Sequence, residues 1–493
     1  MNILFYYRGR ESLGIEYLSG VLKKAGHKVD MIFDPGLDDN CYWKNRVLKI
    51  FQNEELMIEK AQKFSPHLLA FSSVTNDYQF VKRMAHRLKK RLKVPIIVGG
   101  IHATSLPNFV LSNPDVDMVC RGEGELALLE LVNRMSEGKD FYGTRNIWFK
   151  KKNGTIVRNG LRPLIEDLDS LPFPDKDLFY KYGCFRDYIM VISGRGCPFS
   201  CTYCHNSLLQ KIYEGKGKYV RRRSVDNLIL ELKLYKEKYK AKEISFQDDI
   251  FVMNRDWLKE FSYSYVKEIG LPFFCNVFPS FIDEETLHLL KQSRCKDLFM
   301  GIDAGDESMR KNVLKRNTPE EDIRRSTSII KKHNIPLELS IIFGWPGETS
   351  EDMWKTVKLI RELSPNWVLA QILYPFPNTA IYKYCREIGL INDDVLLRIF
   401  NGEESVNEES ILDLPHKDLA YVISKLLPLY IRVPSFLKPI VKALMNRHIK
   451  GFVNKIFVLT IFFPYTHRAI VRLKEFILMA LISLKKRFEV MAE

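Results

Sequence analysis

The sequence predicts an α/β protein built from a doubly wound, Rossmann-like parallel sheet followed by a (β/α)6 partial TIM-type barrel and a helical C-terminal tail. Three observations carry this. Short apolar runs alternate with stretches of helical periodicity through most of the 493 residues, a length that allows several domains, each with its own core. The alternation is interrupted once, by a proline-rich and acidic stretch centred on Leu164–Pro174. A glycine- and cysteine-rich loop falls at the end of the first strand after that interruption, where barrel folds place their chemistry.

The first part spans residues 1–145. Asn2 to Tyr7 reads as a strand, Gly14 to Ala25 as a helix stopped by Gly26, and Val29 to Phe33 as a second strand. His67 to Val74, Pro95 to Gly100 and Asp117 to Cys120 supply three further strands, with helices near Val81 to Leu92 and Glu125 to Met135. Ligands of such sheets sit beyond the carboxyl ends of the strands. The candidate contacts are therefore Ser72, Ser73 and Thr75, the turn Gly99-Gly100-Ile101-His102-Ala103, and Arg121-Gly122-Glu123-Gly124-Glu125. His102 by itself reads as a surface residue. Residues 146–186 read as an extended connection.

Over residues 187–391 six strands alternate with helices: Tyr188 to Ser193, Glu243 to Asp248, Phe273 to Phe278, Asp297 to Asp303, Leu337 to Phe343 and Trp367 to Leu373. The first ends in Ser193-Gly-Arg-Gly-Cys197-Pro-Phe-Ser-Cys201-Thr-Tyr203-Cys204-His205. Three thiols at Cys-x3-Cys-x2-Cys spacing suit a metal centre. A cubane iron-sulfur cluster takes four thiolates, so three leave one iron open for chemistry. A Cys3His zinc site using His205 is the alternative, but adjacent Cys204 and His205 are poorly placed for two corners of one tetrahedron. The other six cysteines are scattered, which argues against a disulfide framework and a conventional second cluster.

The cysteine loop, with aromatic Tyr203 before its last thiol, resembles the signature of the radical S-adenosylmethionine (SAM) enzymes. That resemblance implies a 4Fe-4S cluster on Cys197, Cys201 and Cys204, with SAM chelating the open iron. It also assigns SAM contacts to strand ends: Tyr203, Asp248 or Asp249 in Gln247-Asp248-Asp249, Asp303 in Gly301-Ile302-Asp303-Ala304-Gly305, and Gly344 and Glu348 in Gly344-Trp345-Pro346-Gly347-Glu348-Thr349. Two strand ends depart from the family. Asp303 stands where relatives usually carry Glu, and the third strand ends in Val277-Phe278-Pro279-Ser280 where many have arginine.

In the first part, Leu-Gly-Ile-Glu-Tyr-Leu, Val-Gly-Gly-Ile-His-Ala-Thr and Cys-Arg-Gly-Glu-Gly-Glu resemble the cobalamin-binding domain that precedes the barrel in one large radical SAM subfamily. This implies cobalamin near Ser72, Ser73, Gly99 and Gly100. The Asp-x-His-x-x-Gly element that offers a histidine to cobalt is absent, so no protein histidine is expected on the metal. The resemblance covers about residues 1–391. It implies reductive cleavage of SAM and functionalisation of an unactivated C–H bond, as C-methylation of a small-molecule or lipid-like substrate, with an electron donor such as flavodoxin or ferredoxin. Methylthiotransfer, cyclisation or oxidation without methyl transfer, and a non-catalytic corrinoid or cluster sensor are the competing readings.

The net charge of +15 invites a nucleic-acid reading. From Tyr430 onward, however, twelve Lys/Arg face three Asp/Glu, so nine of those fifteen charges fall in residues 430–493, the last part of the tail (residues 392–493), and no nucleic-acid partner is expected. The apolar runs Phe452 to Pro464 and Phe476 to Leu484 are too short to span a bilayer. They read as cationic amphipathic helices touching a membrane surface, or as core helices. The opening Met1-Asn2-Ile3-Leu4-Phe5 leads straight into a strand, and a cytoplasmic, peripherally membrane-associated enzyme is expected.

Overall fold

The computed structural model describes residues 1–35, 39–40, 43–44, 54–184, 188–403 and 409–446. In the first part, β1 (Asn2–Arg8), α1 (Leu13–Lys24), β2 (Lys28–Asp34), β3 (Leu68–Ser72), α2 (Tyr78–Leu92), β4 (Ile96–Gly99), β5 (Met118–Cys120) and α3 (Glu125–Ser136) follow in order. The strands run β2-β1-β3-β4-β5, all parallel. Successive residues of β1 serve opposite faces, as the two-residue period requires. Ile3 and Phe5 pack with Ile15 and Leu22 of α1, whereas Leu4 and Tyr6 pack with Met84 and Leu88 of α2. Burial on both faces explains why β3 and β4 read as continuous apolar runs.

One boundary differs from the sequence reading. β6 (Ile147–Lys150) and β7 (Ile156–Arg158), placed in the connection above, extend the first sheet as antiparallel edge strands. Their runs are only four and three residues long, too short to stand out from a loop. What remains of the connection is an interlock. Lys176, fully buried, meets Glu11 and Glu16 of the first part and donates to the Met190 carbonyl of the second at 2.8 Å. The Asp175 carboxylate accepts from Ser19 at 2.5 Å.

The second part contains β8 (Ile189–Val191), α4 (His205–Ile212), α5 (Val225–Lys238), β9 (Ile244–Phe246), β10 (Phe273–Val277), β11 (Cys295–Asp303), β12 (Leu337–Phe343), α6 (Ser350–Leu363) and β13 (Trp367–Ile372). Its six strands pair in sequence order and all in parallel, giving an open (β/α)6 barrel. The tail then covers the last strand. α7 (Lys417–Arg432) packs on β13 and α6, α8 (Lys438–Asn446) packs on α7, and Leu419, Val422, Ile423, Leu426 and Leu427 join the barrel core. For α7 the core-helix reading therefore replaces the membrane one. Cutting after Leu429 would sever α7 beside its buried Tyr430. The runs Phe452 to Pro464 and Phe476 to Leu484 lie outside the described residues, and among those described no helix is long and apolar enough to cross a membrane.

Candidate active site

The cysteine loop is pinned from three sides. The Thr202 amide and hydroxyl both donate at 2.9 Å, to the Leu314 and Val313 carbonyls, and the Ile381 amide donates to the Thr202 carbonyl at 2.9 Å. Gln210 on α4 reaches back to the carbonyls of Cys197 and Phe199 at 2.6 and 3.2 Å. Gly196, at φ +90°, passes so close to Tyr219 that an added Cβ would lie 2.3 Å from its carbonyl oxygen, which explains the glycine.

The sulfurs themselves are met by donors. Cys204 caps α4 and its Sγ accepts from the Asn206 amide at 3.4 Å, while the Cys201 Sγ lies 3.9 Å from Nη1 of Arg316. Burial pushes the Cys197 thiol up to about 11 and raises Cys201 and Cys204 as well. Such sulfurs become thiolates by binding a metal. Among the described residues no three His, Cys, Asp or Glu side chains converge as the ligands of a single ion do. A cubane asks for something different, because each thiolate binds its own iron on a larger body. Spaced cysteines with donors at their sulfurs fit that group.

The two aspartates after β9 part company. Asp248 turns inward and accepts from the Ser193 amide at 3.0 Å and its hydroxyl at 2.6 Å, with Arg222 4.0 Å away. It satisfies a buried strand end and does not reach the cavity. Asp249 does reach it and accepts from Asn206 at 3.0 Å. Burial raises its carboxyl, so a cation arriving beside it would be favoured. Neither aspartate caps a helix; Asn254 caps the helix that follows.

At the end of β11, Asp303 adopts the left-handed φ of +64° and accepts from the Tyr203 hydroxyl. The Tyr203 ring meets Trp345 edge-on at 5.2 Å. The Glu348 carboxylate folds back onto its own turn, accepting from the amides of Gly344 at 2.6 Å and Trp345 at 3.1 Å. Gly344 and Gly347 take φ of +83° and +79°, and Thr349 opens α6 with a capping box to Asp352. Glu348 is thus the clamp of this turn.

Between the two parts lies a cavity of about 420 Å³, lined by Ser72, Gly99 and Gly100 from the first sheet and by Asn206, Tyr219 and Asp249 from the barrel. Gly14, Gly122 and Gly124 also line it, so its rim offers backbone and apolar wall to a flat ring. Ser73 is instead buried beneath the rim, its hydroxyl donating to the Val74 carbonyl, and Gly100 approaches it so closely that an added Cβ would sit 2.5 Å from its carbonyl oxygen. His102 is also buried, contrary to the surface reading. Its Nδ1 lies 3.3 Å from the Thr75 hydroxyl oxygen, its ring meets Tyr78 at a tilt with centroids 4.4 Å apart, and burial drops it to about 3. Among the described residues no histidine lines the cavity.

Several residues here escaped the sequence reading. Arg195 holds Glu123 and Glu125 at 3.2 and 2.7 Å, and Arg221 joins it at Glu123, so an ionic web ties the first sheet to the loop before Cys197. The run Arg221-Arg222-Arg223 was the available signal. Each member has its own anchor: Glu123 for Arg221, the Ile250 and Phe251 carbonyls for Arg222, and Glu231 for Arg223. Tyr213 accepts from the Glu123 amide at 2.7 Å.

The family model of the radical SAM superfamily matches residues 191–360, and that of the B12 binding domain matches residues 10–132. The chain thus joins a B12 binding domain to a radical SAM domain. Its cofactors are accordingly a 4Fe-4S cluster, SAM and cobalamin. An uncharacterized methyltransferase of Pyrococcus horikoshii is 27% identical over 90% of this chain and 91% of its own. The anaerobic magnesium-protoporphyrin IX monomethyl ester cyclase of Rubrivivax gelatinosus is 24% identical over 78% of this chain and 70% of its own. Among solved structures, the fold is shared with the radical SAM methyltransferase TsrM of Kitasatospora setae, at TM-score 0.63 and 14% identity over 91% of this chain and 99% of that one. It is shared also with the cobalamin-dependent radical enzyme OxsB, at TM-score 0.67 and 14% identity over 98% of this chain and 75% of that one.

Proposed function

We propose that this enzyme is a cobalamin-dependent C-methyltransferase acting on a small-molecule or lipid-like substrate. The observation that carries the reading is the cavity that brings the glycine rim of the first sheet up to Asp249 and Asn206 beside the cysteine loop. When bound, the cluster and SAM supply one-electron chemistry and cobalamin supplies a methyl carrier.

In this reading Cys197, Cys201 and Cys204 hold the cluster, and Asp249 receives the SAM ammonium by a charge-assisted hydrogen bond. Asp303 and Tyr203 bound the nucleoside side, and Glu348 keeps the Gly344 turn open to it. Ser72, Gly99 and Gly100 receive the corrinoid. The apolar cavity wall excludes water, which protects reactive species formed between the two parts. A protein such as flavodoxin or ferredoxin provides the electron.

Outside the site, Phe436 and Ile440 are exposed near Lys438 and Lys442, which supports peripheral contact of the C-terminal end with an anionic membrane. The test of methyl transfer is anaerobic turnover with SAM carrying a deuterated methyl group, in an extract of cells lacking the gene. A product bearing the labelled methyl is expected. Consumption of SAM with products that carry no label would favour the cyclase-like outcome instead.

A further inference from the structure

Arg316 belongs to no motif, yet the chain goes to some length to place it. Beyond β11 the backbone makes a short helix, Glu307–Asn312, and folds back toward the cysteine loop. Arg310, wholly buried, locks this reversal by donating to the carbonyls of Ala304, Gly305 and Thr318 at 2.7, 2.9 and 3.0 Å. Lys315 takes the left-handed φ of +50° immediately before Arg316. The two hydrogen bonds from Thr202 fasten the returning segment to the loop itself.

The guanidinium that arrives there is engaged on its edges and on one face. Nη1 lies 3.9 Å from the Cys201 Sγ, Nε lies 3.2 Å from the Asp303 carboxylate, and Nη2 donates to the Gly301 carbonyl. Its plane lies over the Phe278 ring at 4.5 Å. Phe278 directly follows the third barrel strand, β10. A buried cation is tolerated when anions surround it. Asp303 is one, and a Cys201 thiolate is the second.

We propose that Arg316 is a positioning residue for the cluster: it donates a hydrogen bond to the Cys201 sulfur, fixes Asp303, and brings a cation to the cluster from the loop that returns from the fourth strand. This rests on the three cysteines carrying the cluster. Hydrogen bonds to cluster sulfurs and nearby charge set reduction potentials, and a positive neighbour favours the reduced, more negative state.

The test is the midpoint potential of anaerobically reconstituted full-length protein, followed by electron paramagnetic resonance. Arg316→Gln is expected to keep its iron and to lower the potential by a tenfold change in the reduction equilibrium, about 59 mV for a one-electron couple. Arg316→Lys, which keeps the charge and loses the fork, is expected to fall by less. An unchanged potential in an iron-replete Arg316→Gln protein overturns the proposal. If that variant does not fold, an unchanged potential in Arg316→Lys does so. Failure of the parent reading looks different, because wild-type protein would then hold no 4Fe-4S cluster at all.

Discussion

Asn206 donates to the Asp249 carboxylate across 3.0 Å, and so joins the residue two places beyond the last cysteine to the end of the second barrel strand. Its neighbour Asp248 is spent on Ser193. The two aspartates should therefore fail differently. Asp249→Asn is expected to keep its iron and melting temperature but bind SAM at least ~10-fold more weakly, the loss of a hydrogen bond to a charged group worth about 1.5–3 kcal/mol. Asp248→Asn should instead lower stability by about 1–3 kcal/mol, because it disturbs the acceptor of the buried Ser193 amide and hydroxyl. Isothermal titration and thermal melts separate the two, and reversed phenotypes would reverse the assignment.

Glu348 gives a pH signature. Burial pushes its carboxyl from 4.5 up to about 8, against the pull of two amides. The folded chain then keeps a proton that the unfolded chain has released. Stability from this group is fully present below about 4.5 and is lost as the pH rises toward 8. Glu348→Gln, whose amide oxygen can accept the same two hydrogen bonds, should flatten that part of the melting-temperature profile. A profile as steep as the wild type's would place the proton elsewhere.

Lys176 holds the two parts together from a site with no solvent access. Lys176→Met leaves Glu11 and Glu16 buried without their shared cation, and breaking such a pair costs about 3–5 kcal/mol. Urea denaturation should show that loss, and pairing the change with Glu16→Gln should recover part of it. Equal midpoints for wild type and Lys176→Met would show that the interlock contributes nothing.

The strands were legible because burial on two faces leaves short apolar runs between stretches of helical periodicity. The edge strands Ile147–Lys150 and Ile156–Arg158 were not, being short and half-exposed. Spacing identified Cys197, Cys201 and Cys204 as a group. It could not say which of Asp248 and Asp249 faces the cavity, since that is decided by the buried Ser193 amide on a neighbouring strand. Glu348 stood out as part of a turn, but its role as the clamp of that turn needed the fold of its own carboxylate. Arg195 and Arg316 act across more than seventy residues of chain, through contacts that no local pattern announces.

Gly122 offers a test of domain docking. It takes φ +68°, and an added Cβ would lie 1.9 Å from the Tyr213 hydroxyl oxygen. Gly122→Ala should push Tyr213 away, loosen the first sheet from the barrel and reduce corrinoid retention on gel filtration while the cluster still assembles. Full retention would show that the corrinoid needs no such closure.

The tail divides at the end of the described residues. Truncation after Asn446 should leave a soluble protein with its cluster and weaken salt-sensitive sedimentation with anionic liposomes. Truncation after Leu429 should aggregate, since it removes the last turn of α7 and all of α8. Full-length protein that ignores liposomes would end the membrane reading.

A single chain is expected to hold an open-iron cluster against a corrinoid without a protein histidine on cobalt. Electron paramagnetic resonance of the anaerobically reconstituted protein, with iron and corrinoid counted on the same gel-filtered sample, tests it most directly. About four irons and one corrinoid per chain are expected, with no protein nitrogen coupled to cobalt. About eight irons, stoichiometric zinc, or a cobalt signal split by a histidine nitrogen would contradict it.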